Sequence, residues 1–248
     1  MKSDSAEDMG LDPSRLPVHA AVIMDGNGRW AQKRMLNRVK GHERGADTVR
    51  AVVRASREIG IQYLTLYAFS TENWQRPKSE VKALMTLLKR FLASERKEMV
   101  ENNIQLRVLG QIHHLPEDVR EGLTDVMAET SKNDGMCLCL ALSYGARSEI
   151  VEAARNLARQ VKEERMEPED ITEELFSQNL YTHGIPDPEL LIRTSGEYRI
   201  SNFLLWQIAY SEIFVTPTLW PDFTREEFIG ILKDFQRRER RFGKVAEK

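Results

Sequence analysis

The stretch His19-Ala20-Ala21-Val22-Ile23-Met24-Asp25-Gly26-Asn27-Gly28-Arg29-Trp30 decides how the rest of the chain is to be read. Its apolar opening predicts a buried strand over 20–24, and the two glycines mark a turn at the strand's end. Working outward, the same alternation recurs. Short apolar runs predict strands at 63–69, 106–109, 136–143, 190–193 and 212–216, each separated from the next by a longer segment with helical period. The clearest helix runs from Ser79 to about Asn102, where Val81, Leu84, Met85, Leu88 and Leu92 share one face behind a Ser79 cap. A second begins at Pro116, with Glu117 and Asp118 in a first turn that favours negative charge. Thr224 to Glu227 reads as a capping box for a last helix burying Phe228, Ile231, Leu232 and Phe235. Strands joined by helices pair in parallel, because only a helix-sized crossover returns the chain to the same end of a sheet. The expected fold class is α/β: a single-domain, mostly parallel six-stranded sheet flanked by helices.

The chain has 248 residues, of which 41% are hydrophobic, enough to fill the core of one large domain. No Pro/Gly/Ser-rich linker divides it, and the charged stretch 162–174 reads as a surface excursion. Residues 1–17 are polar and acidic and read as a flexible N-terminal arm, residues 18–243 as the domain, and residues 244–248 as a C-terminal tail. With 36 Lys and Arg against 38 Asp and Glu the formal charge is −2, which argues against a generally basic nucleic-acid binder. No apolar run reaches membrane-spanning length. Cys137 and Cys139 share one face of a strand, where they are poorly placed for a disulfide, and a reduced pair fits the cytoplasm.

In open α/β sheets ligands sit beyond the carboxyl ends of the strands, so the residues after each strand are the place to look for chemistry. Asp25-Gly26-Asn27-Gly28-Arg29-Trp30 either cradles a phosphate on its exposed N–H groups or is an ordinary strand-to-helix turn. Downstream, Arg29, Lys33, Arg34, Arg38, Lys40 and Arg44 concentrate positive charge beside that loop, with His42 among them. Guanidinium groups grip phosphate oxygens bidentately, although Lys33 and Lys40 suit a solvated helix face equally well. After the second strand, Ser70, Thr71, Glu72, Asn73, Trp74 and Arg76 crowd mixed chemistry into one loop. Arg193, Ser195, Arg199 and Ser201 form a third candidate anion site. Asp25 and Glu212 are carboxylates among these anion sites, which makes them either magnesium ligands or charge balance for nearby arginines. The histidines 19, 113, 114 and 183 have no ligand-like partners and are assigned no chemistry.

Taken together, the segments 19–30, 67–74 with Arg76, and 193–207 resemble the cis-prenyltransferases, the undecaprenyl diphosphate synthase family. Arg38, Gly41-His42, the segment 220–223 and the segment 237–243 match as well, so the likeness runs from His19 to Gly243. The resemblance implies a homodimeric transferase that adds isopentenyl diphosphate units to an allylic diphosphate such as farnesyl diphosphate. Each new double bond would be Z, and a bacterial member would make undecaprenyl diphosphate for cell-wall biogenesis. By the same resemblance Asp25 is catalytic through Mg2+, and Gly26, Asn27, Gly28 and Arg29 cradle the allylic diphosphate, with Trp30, Arg38 and His42 lining that site. Ser70, Thr71, Glu72, Trp74 and Arg76 complete the substrate region, and Asn73 either assists removal of the isopentenyl proton or orients the substrate. Arg193, Arg199, Ile200 and Ser201 would bind isopentenyl diphosphate, Glu212 would be a second metal ligand, and Arg241 and Gly243 would reach a partner's site. Tyr198 stands where some bacterial relatives carry a histidine near the metal.

An all-α prenyltransferase is disfavoured because the chain contains no adjacent aspartates. A non-catalytic partner subunit would be expected to lack Asp25 or the Asn73 loop. An RNA-binding protein would use Arg29 to Arg44 and the aromatics, and the charge balance speaks against nucleic acid. The growing hydrocarbon needs an apolar tunnel, for which the helix bearing Leu84, Met85, Leu88 and Leu92, the strand 136–142 and the small Ala68 are candidates. The expected location is cytoplasmic, with at most peripheral membrane contact for product release.

Overall fold

The computed structural model describes residues 6–239. In chain order its elements are β1 (His19–Ile23), α1 (Asn27–Lys33), α2 (Arg38–Ile59), β2 (Tyr63–Ser70), α3 (Lys78–Glu101), β3 (Ile104–Leu109) and α4 (Glu117–Thr130). They continue as β4 (Met136–Tyr144), α5 (Ala146–Lys162), α6 (Glu173–Gln178), β5 (Leu190–Arg193), β6 (Glu212–Val215) and α7 (Arg225–Arg237). The six strands form one sheet in the order β3-β4-β2-β1-β5-β6, and every pairing is parallel. β1 and β4 are buried along their whole length, as continuous apolar strands covered on both faces must be. Alternate residues serve opposite layers. Ala20, Val22, Leu64, Leu66, Leu138 and Leu140 pack with apolar side chains of α2, α3, α4 and α7, whereas Ala21, Ile23, Cys139 and Ala141 pack with Ala146 of α5 and with Phe203 and Leu204. Cys137 and Cys139 are buried free thiols with their sulfurs 3.6 Å apart.

Several local expectations change. α3 starts at Lys78 with Pro77 as its N-cap, so Ser79 lies inside the helix. Proline holds φ at −50° there and has no N–H of its own to satisfy, which starts the helix one residue early. Thr224 does cap α7 by accepting from the Glu227 N–H, but Glu227 turns its own carboxylate to the Thr216 hydroxyl, so the box is half formed. The N-terminal segment expected as a loose arm is packed from Ala6 onward. Ala6 and Leu11 are buried in the main core, and Gln236 of α7 exchanges two hydrogen bonds with Asp12 through its backbone N–H (3.1 Å) and carbonyl (2.7 Å). The apolar positions of that short segment find a home against α7, which its overall polarity concealed.

Connections that follow β1 and β5 leave toward opposite edges of the sheet, β1 to β2 and β5 to β6. The crevice between those two loops is the topological switch point, where open α/β sheets bind their ligands.

Candidate active site

Asp25 follows β1 and sits at this switch point. Its backbone carbonyl accepts from the Thr194 hydroxyl at 2.7 Å and from the Trp220 N–H at 3.0 Å, which fixes the turn from the β5 side. On the carboxylate, Oδ2 accepts from Arg193 Nη2 at 2.8 Å and lies 3.1 Å from Arg29 Nη2. Burial alone would raise its pKa, but the two guanidinium groups outweigh that and hold the carboxyl below its ordinary value. Gly26 then turns the chain at φ 112°, a conformation side-chain-bearing residues rarely adopt, and a Cβ there would stand 2.9 Å from Leu219. α2 presses against this turn so closely that a Cβ on Gly41 would fall 2.0 Å from the Asn27 carbonyl oxygen. The glycine of the Gly41-His42 pair therefore lets one helix rest on the first turn of another.

Beyond the turn opens a cavity of about 270 Å3. Its polar end is lined by Asp25, Gly26, Asn27, Gly28, Arg29, Arg38, His42, Asn73 and Arg76. Its inner wall is apolar, made by Val49 of α2, Leu66 and Ala68 of β2, Leu84, Met85, Leu88 and Phe91 of α3, and Leu140 and Leu142 of β4. Arg38 and Arg76 are both anchored on the buried Glu80 of α3, at 3.5 and 3.2 Å. His42 has its pKa lowered to about 4, first by burial and then by Arg76, so at neutral pH it is an uncharged imidazole.

The loop after β2 approaches from one side. Asn73 Oδ1 accepts from the Ser70 N–H at 3.2 Å, closing a capping box that shapes residues 70–75. Trp74 packs edge-on against Phe69 and donates to the Ser143 hydroxyl at 2.9 Å. Thr71 bonds Glu72 at 3.2 Å, and neither lines the cavity. From the other side comes the loop after β5. Arg193, only 4% exposed, bonds the Ser201 hydroxyl at 2.7 Å and the Arg199 carbonyl as well as Asp25. It therefore braces Asp25 directly. Arg199 is exposed and pairs with Glu197 at 2.6 Å, and Ile200 packs into the second core layer. Trp30 lies outside the cavity, held by Asp222 at 2.7 Å and covered by Arg34 at 4.2 Å.

Glu212 is not brought to Asp25. It opens β6, in register with Leu190 at the start of β5, and so lies toward the amino end of the strands, paired with Arg238 at 2.5 Å. The two carboxylates do not form a shared metal site within one chain. Arg241 and Gly243 lie outside the described residues.

The comparisons fit this geometry. The undecaprenyl diphosphate synthase family model matches residues 23–243. The isoprenyl transferase of Geobacter sulfurreducens is 54% identical over 96% of this chain and 96% of its own, and that of Bacillus subtilis is 52% identical over 93% and 88%. Among solved structures, lavandulyl diphosphate synthase from Lavandula x intermedia, in complex with dimethylallyl diphosphate, superposes with a TM-score of 0.91 at 37% identity, covering 93% of this chain and 100% of that one. The chain belongs to the undecaprenyl diphosphate synthase family. It is a prenyl-transferring enzyme, and the six-stranded parallel sheet is the family's own.

Four residues of the transferase site were missed from sequence. Thr194 and Trp220 fix the Asp25 carbonyl, Glu197 ties Arg29 to Arg199, and Glu80 anchors Arg38 and Arg76. Glu80 carried one signal, its four-residue spacing from Arg76, although Arg76 itself lies in extended chain just before α3. Thr194, Glu197 and Trp220 fall within the segments 193–207 and 220–223, whose residue types do not announce these contacts. The remainder depend on loops meeting across the switch point.

Proposed function

We propose that the enzyme condenses isopentenyl diphosphate units onto an allylic diphosphate, farnesyl diphosphate first among them, and releases a Z-polyprenyl diphosphate such as undecaprenyl diphosphate, the carrier lipid of cell-wall biogenesis. One observation carries this reading. A single cavity runs from a cluster of arginines around one ionised carboxylate into a wall of Leu, Met and Phe, the shape and polarity of an amphiphile with a diphosphate head.

In the reaction the C1–O bond of the allylic diphosphate breaks, and diphosphate leaves with the bonding electrons. The isopentenyl double bond supplies the electrons for the new C–C bond, and a proton is lost from the isopentenyl unit. Arg29, Arg38 and Arg76 line the cavity and would bind the departing diphosphate, and their salt-bridge partners hold them in position before charge develops. His42, uncharged, offers hydrogen bonding without adding to the positive charge. Asn73 is anchored by its carbonyl oxygen to the Ser70 N–H, which leaves its NH2 as the reactive end. That favours orienting the substrate by donation over removing a proton.

The donor set at Asp25 fits Mg2+. Both arginine contacts fall on Oδ2, and among the described residues no group of three His, Cys, Asp or Glu side chains forms a protein cage. Magnesium is commonly held by one or two carboxylates together with substrate phosphates and water, and Asp25 Oδ1 supplies such a ligand. When bound, the ion would neutralise charge on the departing diphosphate. The open edge strand β6, with Ile213 and Tyr210 exposed, supports joining to a second copy as a homodimer. Among the described residues no helix is long and apolar enough to cross a membrane. We place the enzyme in the cytoplasm, with contact to the membrane at most peripheral.

Incubation with labelled isopentenyl diphosphate, farnesyl diphosphate and Mg2+ should yield labelled lipid. Asp25→Ala should lower kcat by about 10³-fold, the scale expected when a main electrostatic element is lost. Absence of any lipid product, or wild-type turnover by Asp25→Ala, overturns the proposal.

A further inference from the structure

We infer that Asn202 is a positioning residue that clasps the loop after β2 to the loop after β5 and thereby sets Ser201 and Arg193 against Asp25. This rests on the reaction proposed above.

Asn202 bonds two elements at once, α5 through its backbone carbonyl and side-chain oxygen and the β2 loop through its side-chain nitrogen. Its backbone carbonyl accepts from the Ala146 N–H at 2.9 Å, and its Oδ1 accepts from the Arg147 N–H at 2.9 Å. Gly145, at the N-cap of α5, has no side chain to satisfy those donors, so the cap of α5 comes from a residue 55 positions away. The side-chain nitrogen, Nδ2, donates to Glu72 Oε1 at 2.9 Å. One side chain thus ties the first turn of α5 to the acidic residue of the β2 loop.

The neighbours show what the clasp positions. Ser201 accepts from Arg193 Nη1, and Arg193 in turn holds Asp25, so a continuous run of bonds joins Glu72, Asn202, Ser201, Arg193 and Asp25. Ser201 and Asn202 both lie at positive φ, 48° and 59°, where an L-residue is held only by its surroundings. Asparagine tolerates that region better than most residues, which suits it to the place. A second tie lies alongside: Tyr67 of β2 donates to the Ser201 carbonyl at 3.3 Å and stacks on Phe203 with ring centroids 4.4 Å apart. The candidate sites for the two substrates are therefore built as one body. Burial pushes the Glu72 carboxyl up, but bonds from Asn202 and from its own loop outweigh this and keep it below its ordinary value, an ionised acceptor.

Asn202→Asp separates the two roles, since it keeps the Oδ1 cap on α5 and sets a second carboxylate against Glu72. It should raise KM for isopentenyl diphosphate about tenfold, the cost of a lost bond to a charged group, while Tm stays within about 3 °C of wild type. Combining it with Glu72→Gln restores a donor, now from the glutamine amide to the new carboxylate, and should recover most of that loss. A wild-type KM in Asn202→Asp, or a double variant no better than Asn202→Asp alone, overturns the inference. If the wild-type enzyme makes no lipid, the reaction is wrong and the clasp is judged on amide exchange across residues 70–76. Faster exchange in Asn202→Asp that the double variant reverses supports it; unchanged exchange overturns it.

Discussion

Asn73 shows how much one hydrogen bond constrains a mechanism. Its residue type leaves open whether it takes a proton or orients the substrate, and an amide is a poor base in any case. The bond from the Ser70 N–H decides which end is available: the oxygen is used within the loop, and the NH2 is left for the cavity that Asn73 lines. Asn73→Asp keeps an oxygen for the Ser70 N–H and replaces the donor by a carboxylate, a better base. If Asn73 orients by donation, kcat should fall by about 10²-fold or more with Tm unchanged. Steady-state rates with farnesyl and isopentenyl diphosphate test this, and a variant as fast as wild type, or faster, would restore the role of base.

Direction along the strands explains what the sequence revealed of the site and what it did not. Asp25, the Ser70 to Arg76 loop and the Arg193 to Ser201 loop all follow strands, and in a wholly parallel sheet such residues gather at one end. That part was legible from the alternation of strands and helices. Glu212 opens its strand, so the same rule sends it to the other end, away from Asp25 of the same chain, and its residue type gave no sign of that direction. Contacts such as Glu80 with Arg38 or Asn202 with Glu72 join elements far apart in sequence, where periodicity carries no information. Within β2 the register slips between Tyr67 and Phe69, leaving Ala68 as the extra residue of a bulge in the cavity wall. Bulges beside active sites re-aim side chains, and here the smallest chiral one lines the cavity. Ala68→Leu should narrow the path between β2 and the α3 residues Leu84 and Leu88, and shorten the longest product by at least one isoprene unit. Thin-layer chromatography of the dephosphorylated products reads this directly. An unchanged ladder would mean the hydrocarbon runs elsewhere.

For the molecule as a whole, a net charge of −2 conceals an uneven distribution: arginines are gathered at the switch point, while the strands β1 and β4 beneath are buried along their whole length. Among their residues is His19, wholly buried in β1. Its ring nitrogens contact the Pro186 carbonyl at 2.6 Å and the Thr65 hydroxyl at 2.7 Å, so Nδ1 donates to Pro186 and Nε2 accepts from Thr65 in a neutral ring. Burial drives its pKa down to about 4 from 6.5, and His42 beside the cavity falls to about 4 as well. In the unfolded chain both rings bind a proton near pH 6.5, while the folded chain resists until about pH 4. Between those values the unfolded state holds more protons, so stability falls as pH falls, by about 3 kcal/mol for each ring across the window. Below it both states are protonated and the loss stops growing. Asp25 and Glu72, with lowered values, add their own loss only where unfolded carboxylates titrate, toward pH 4. Glu149, pushed up by burial, works in the opposite sense. Urea unfolding midpoints should therefore be steady above pH 7 and decline from pH 6.5 to 4.5. In His19→Gln the decline should be shallower by roughly half, whatever the variant's starting stability, because one of the two rings is gone. A wild-type profile flat from pH 7 to 5 would show that the His19 ring accepts a proton inside the sheet as readily as in water.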